Sequence, residues 1–120
     1  MAIKKVLIVD DVNTDLKKLE QIVSQAGYVV ITAENGTDAL EKAKSMQPDA
    51  VFLDVIMPDM NGFQVCRAIK QDATTKNIPV VIVSSKGEKT DQMWGQEQGA
   101  QGYITKPYSP DQIVSQLQAL

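Results

Sequence analysis

The chain alternates between apolar runs of four or five residues and longer segments of helical period, and few architectures accept that pattern. Val6-Leu7-Ile8-Val9 is a continuous apolar run ending in Asp10 and Asp11. Such a run reads as a strand buried on both faces. From about Asn13, the residues Leu16, Leu19, Ile22, Val23 and Ala26 recur at spacings of three and four and form one helical stripe. Gly27 follows where a left-handed helix end is wanted. Tyr28 to Thr32 is a second, β-branched strand. Asn35-Gly36 marks a turn, and Thr37 is the expected cap of a helix carrying Leu40, Ala43 and Lys44 that Pro48 ends.

Three further cycles follow. Ala50 to Leu53 is a third strand ending at Asp54, and a loop with Pro58 and Asn61-Gly62 leads to a helix containing Phe63, Cys66, Arg67, Ile69 and Lys70. Asn61 can cap it. Val80 to Val83 is the fourth strand, and a short helix is expected over Asp91 to Gln98, stopped by Gly99. Gly102 to Thr105 is a shorter, more polar fifth strand. Ser109 caps a last helix, with Pro110 in its first turn, Gln112 completing a capping box and Ile113, Leu117 and Leu120 as its stripe. Five strands alternating with five helices predict an α/β, doubly wound parallel sheet covered on both faces. A functional site in such a sheet lies beyond the carboxyl ends of the strands.

Composition narrows the chemistry. The 120 residues amount to one domain, 43% hydrophobic and 22% charged, ordinary for a chain that builds a core. A net charge of -3 gives no general attraction to nucleic acid or anionic lipid. With no histidine, the chain has no imidazole base, Ser-His-Asp or Cys-His pair, or imidazole zinc site, and no phosphohistidine of its own. The single cysteine, Cys66, forms no internal disulfide and reads as a buried small hydrophobe, so a reducing cytoplasm is the simplest compartment. Lys4 and Lys5 resemble the basic start of a signal peptide, but only Val6 to Val9 separate them from Asp10, too short for a signal core, and no membrane insertion is expected.

The strand ends are the unusual set. Asp10 and Asp11 follow the first strand, Asp54 the third, Ser84 and Ser85 end the fourth, and Lys106-Pro107 ends the fifth. Singly, an Asp there is a helix cap or turn former, as Asp11 would be, and a Ser or Lys is a polar surface residue. In conjunction, adjacent first and third strands would bring three carboxylates into one crevice, where each resists ionisation. A hard divalent cation with oxygen ligands, Mg²⁺ or alternatively Mn²⁺, would stabilise them, with Lys106 as a compact positive charge nearby.

These stretches resemble the receiver domain of two-component response regulators over essentially the whole chain. The matching segments are Val6 to Asp11, Asp54 to Gly62, Ile78 to Ser84 and Gly99 to Pro107. The resemblance implies a flavodoxin-like strand order 2-1-3-4-5 and a CheY-like receiver over residues 1–120 without an output domain. It implies that Asp54 is the phosphoacceptor, that Asp10, Asp11, Asp54 and the backbone carbonyl of Ile56 hold Mg²⁺, and that Lys106 stabilises the transferring group. Ser84 and Tyr103 would form the switch, with Trp94 and Pro107 on the partner surface; for Trp94 a core position is the competing reading, and for Tyr103 packing on the sheet edge. Lys106-Pro107 would be a cis bond. The implied donor is a histidine kinase or phosphotransfer protein, and the output a contact with a downstream motility or pilus protein, Met93-Trp94-Gly95 resembling receivers of pilus-based twitching and phototaxis systems. A phosphate sink or phosphorelay shuttle is the alternative. No turnover enzyme is expected: a haloacid dehalogenase-type phosphatase needs a second Asp two positions after its nucleophile, where this chain has Val12 and Ile56. A flavodoxin would need a phosphate-cradling loop where Asp10-Asp11 stands.

Overall fold

A computed structural model describes residues 3–120. The elements run β1 (Lys5–Val9), α1 (Asn13–Gln25), β2 (Val29–Ala33), α2 (Gly36–Met46), β3 (Ala50–Leu53), α3 (Gly62–Gln71), β4 (Val80–Ser84), α4 (Lys89–Glu97), β5 (Gly102–Thr105) and α5 (Pro110–Ala119). All strand pairs are parallel and their order is β2-β1-β3-β4-β5, the expected topology.

The three central strands are buried on both sides, and alternate residues feed two cores. Leu7, Val9, Val51, Leu53 and Val80 face Ala39 and Ala43 of α2 and Val65, Cys66 and Ile69 of α3. Val6, Ile8, Phe52, Val81 and Val83 face Leu16, Leu19 and Val23 of α1 and Ile113 and Leu117 of α5. Phe52 is wholly buried between α1 and α5. Truncating it to Ala would cost about 3–5 kcal/mol, more than any exposed substitution. A small third cluster of Val55, Phe63 and Ile82, with Tyr103 against it, lies toward α4.

The helix boundaries follow local hydrogen bonding. Gly27 takes φ +98 after α1, as its position predicts, while Ala26 ends the stripe as an exposed cap. The cap of α2 is Asn35 and not Thr37: the Asn35 side chain accepts from Asp38 N at 2.8 Å, so the helix already includes Thr37. Pro48 disfavours a helical Gln47. Gln47 turns left-handed at φ 46, and its side-chain amide donates to the free carbonyls of Ala43 and Lys44. Asn61 caps α3 in a reciprocal box with Gln64. Helix α4 starts two residues earlier than the pattern suggests because Asp91 accepts from Glu88 N at 3.2 Å and fixes the first turn there. Pro110 opens α5, and Gln112 accepts from Ser109 N at 2.8 Å.

Candidate functional site

Parallel pairing continues one residue past the strands at the carboxyl edge. Asp54 N donates to Val9 O at 3.0 Å and Asp10 N to Ala33 O at 3.2 Å, so both aspartates sit on backbone the sheet holds rigid. Asp10 and Asp54 are buried, and Asp11 is exposed at the rim. One carboxylate oxygen from each of the three lies within 4.8 Å of the others. Each buried acid commits one oxygen to the backbone: Asp10 Oδ1 accepts from Val12 N at 2.9 Å, Asp54 Oδ1 from Val55 N at 2.7 Å. Their Oδ2 atoms face the same ammonium.

That ammonium is Lys106, beyond β5 and anchored by its own N–H to Ser84 O at 2.9 Å. Its Nζ stands 2.8 Å from Asp10 Oδ2, 3.0 Å from Asp15 Oδ2 and 3.4 Å from Asp54 Oδ2. Burial pushes the Asp10 carboxyl up; the Lys106 hydrogen bond pulls it down, Asp54 adds to the rise, and the net position is raised. Burial alone would lower Lys106, but its bonds to Asp10 and Asp15 and the charge of Asp54 outweigh that and hold it firmly protonated. Several acids on one lysine leave the cluster short of positive charge. The donors are hard oxygens, two of them buried and one open to water, a set that suits a small divalent cation retaining part of its hydration.

The other expected residues are placed as follows. Ser84 is fully buried at the end of β4, and its Oγ accepts from Lys86 N at 3.2 Å. The Tyr103 hydroxyl donates to the Lys86 carbonyl, while its ring packs against the third core cluster. Burial first, then the charges of Asp91 and Asp54, push that phenol up to about 12. The side chain of Ile56 is 54% exposed, two residues beyond Asp54. Lys106-Pro107 is a cis peptide and Pro107 is exposed. Trp94 is 53% exposed, with Met93 beside it, which removes the core reading of that residue. A shallow groove between α4 and β5, about 390 Å³, is lined by Lys89, Gln92, Met93, Gln96 and Tyr103.

Three contributors escape the sequence pattern. Asp15, in the first turn of α1, reaches Lys106. Asp59 ties the β3–α3 loop to α2: Oδ1 accepts from Gly36 N at 2.9 Å, and Oδ2 from Thr37 N at 2.9 Å and the Thr37 hydroxyl at 2.7 Å. Gly95 is buried, and a Cβ there would sit 3.0 Å from Ile82 and 3.2 Å from Tyr103, so its lack of a side chain eases the approach of α4 to the sheet. An acid in the first turn of the helix leaving β1 was the one available signal, since that turn borders the same crevice.

The family model described as "Response regulator receiver domain" matches residues 6–118, and the chain belongs to that family. It is 41% identical over 116 residues to Protein PilH of Pseudomonas aeruginosa, covering 97% of this chain and 96% of that protein. Other curated relatives are longer; the chain spans about half the length of the transcriptional regulators it matches. Among solved structures, the chemotaxis protein CheY4 of Vibrio cholerae superposes with a TM-score of 0.91 at 32% identity, covering 98% of each chain. A chain of the CheX–CheY–BeF3–Mg²⁺ complex of Borrelia burgdorferi matches with a TM-score of 0.91 at 31% identity, covering 97% of this chain and 87% of that one.

Proposed function

We propose that this receiver is a phosphoryl-operated switch in which Asp54 accepts the phosphoryl group and a protein-binding face responds. The observation that carries the reading is the convergence of Asp10, Asp11 and Asp54 oxygens within 4.8 Å beside the Lys106 ammonium. Asp10, Asp11, Asp54 and the Ile56 carbonyl would hold Mg²⁺. The bound ion supplies charge that reduces repulsion between carboxylate and phosphoryl oxygens. The likeness to a chain from a complex containing BeF3 and Mg²⁺ supports that ligand set.

In the reaction, an Asp54 carboxylate oxygen attacks phosphorus. The new O–P bond forms as the P–N bond of a donor phosphohistidine breaks, and the electron pair leaves with the imidazole. Lys106 pairs with an oxygen of the arriving group and offsets the charge developing there. The Ser84 hydroxyl donates to another phosphoryl oxygen. Because Ser84 Oγ and the Tyr103 hydroxyl both grip Lys86, one by its N–H and one by its carbonyl, movement of Ser84 displaces the acceptor that holds the Tyr103 hydroxyl. The face comprising Tyr103, Trp94 and Pro107 then changes shape. The chain acts as a switch with self-phosphorylation and dephosphorylation chemistry, without turnover of an external substrate.

The donor is a histidine kinase or phosphotransfer protein, and the output is control of a motility apparatus of chemotaxis, phototaxis or pilus type. The likeness to PilH and to a chemotaxis protein supports that output. Acetyl phosphate with Mg²⁺, followed by intact mass, should add one PO3 group to the wild type and none to Asp54→Ala. An unchanged wild-type mass overturns the reading. Phosphorylation with loss again only to a second histidine protein would favour a shuttle.

A further inference from the structure

We propose that Asp15 is a positioning residue for Lys106: it retains the ammonium when Asp10 and Asp54 give their oxygens to a divalent cation. The inference rests on the metal-dependent reading of the site. An ammonium has three N–H donors, and Lys106 finds three carboxylates, at 2.8, 3.0 and 3.4 Å. Two of them belong to the acidic cluster and the third, Asp15, does not. Asp10 and Asp54 have each already given Oδ1 to a backbone N–H. The Oδ2 atoms that Lys106 contacts are therefore the ones best able to serve a cation.

The two positive charges compete for the same oxygens. A dication entering the cluster drives the ammonium off Asp10 and Asp54, and the Lys106 side chain is only 17% exposed. An ammonium largely out of water without an anion is costly. Asp15 offers one at 3.0 Å, and at 42% exposure its own carboxylate gives up little hydration. It thus lowers the cost of vacating the cluster and raises cation affinity without touching the cation. A simpler role is also available to an acid in a helix's first turn, which favours the macrodipole or attracts cations through charge alone. The experiment has to separate contact from charge.

Mg²⁺ alone is titrated into the full chain, followed by the amide shifts of Val12 and Val55, whose N–H groups bond the two buried acids. Asp15→Asn should weaken Mg²⁺ binding about fivefold. In a Lys106→Met background, where no ammonium has to be accommodated, the same change should move affinity by less than about twofold. Equal weakening in both backgrounds overturns the proposal, as does no weakening in either. A variant that leaves Lys106 intact guards against misfolding of Lys106→Met: adding Thr14→Asp to Asp15→Asn restores the charge on an exposed neighbour but not the contact. Affinity should stay weak, and recovery to the wild-type value refutes a contact role. A wild type that binds no Mg²⁺ sinks the underlying reading, a result distinct from a bound ion indifferent to Asp15.

Discussion

Gly62→Ala tests whether the β3–α3 junction sets the position of Asp54. A Cβ on Gly62 would lie 2.1 Å from the Asp54 carbonyl oxygen and 2.8 Å from both Asp54 C and Val55 Cα. Ordinary contact begins at 3.4 Å, so helix and strand end must separate by roughly 1.3 Å, and every crowded atom is backbone. The Gly62 N–H bond to Val55 O, 2.8 Å, lies across the same junction and would be strained or lost. Overpacking costs about 1–3 kcal/mol and the hydrogen bond about 0.5–1.5, against a helix-propensity gain below about 1. The expected net loss is about 2–3 kcal/mol, read as a lower urea midpoint at unchanged slope. Because the displaced backbone is that of Asp54, Mg²⁺ affinity should fall as well. Gly27→Ala is the control: it meets nothing within 4 Å, and its penalty comes only from φ +98, about 1–2 kcal/mol, with metal affinity intact. Gly62→Ala within about 0.5 kcal/mol of wild type, or destabilised with unchanged metal affinity, refutes the reasoning.

Asp59→Ala should loosen the β3–α3 loop and lower stability in a pH-dependent way. The Thr37 hydroxyl and the Gly36 and Thr37 N–H groups hold the Asp59 carboxyl well below its ordinary value. Its contribution is thus complete above the unfolded value of about 3.9 and is lost as pH falls through the folded value. Urea midpoints of wild type and variant should differ by a constant amount from neutral pH to about 5 and converge below about 4, and a gap that widens in acid contradicts this. Burial pushes the Cys66 thiol up to about 11, so a disulfide reagent at neutral pH should modify native protein only as fast as it opens. Prompt stoichiometric labelling would contradict the buried assignment. Ile56→Asn, at an exposed position beside Asp54, should change the lifetime of the phosphorylated state without abolishing phosphorylation, and equal decay rates would remove that role.

The residues legible in advance share one property: each ends or directly follows a strand. An apolar run such as Val6 to Val9 announces itself, parallel neighbours end on the same side, and Asp10, Asp54, Ser84 and Lys106 inherit their placement from that geometry. The reach of Lys106 was less legible, since β5 stands two strands away from β3 and three from β1. Only the length of a lysine side chain closes the gap. Asp15 and Asp59 were less legible because neither directly follows a strand, so nothing local places them beside partners 91 and 22 to 23 residues away in the chain. Locally, one is an ordinary first-turn acid and the other a loop residue beside a proline. Thr37 was mistaken for a cap because Asn35 and Thr37 are both capping types; the hydroxyl serves Asp59 instead. Gly95 has no local signal of its role, because the close approach it allows is to Ile82 and Tyr103 of the sheet.

Asp10 serves the site at some expense to the metal-free fold at neutral pH. Asp10 is buried, stands beside Asp54, and its carboxyl is raised above the ordinary value. The folded state therefore holds a proton there more tightly than the unfolded chain does. The Asp10 contribution to stability of the metal-free protein declines as pH rises from the unfolded value of about 3.9 through the folded one, the opposite sense to Asp59. A cation bound by the folded state alone reverses that loss by mass action, adding about 2.7 kcal/mol at a hundredfold excess over its dissociation constant. Mg²⁺ should accordingly raise the urea midpoint at pH 7 and add nothing to an Asp10→Asn, Asp54→Asn double variant. A wild-type midpoint indifferent to Mg²⁺ would mean that Lys106 already satisfies the cluster, and the acids would then be a structural ion-pair network in place of a metal site.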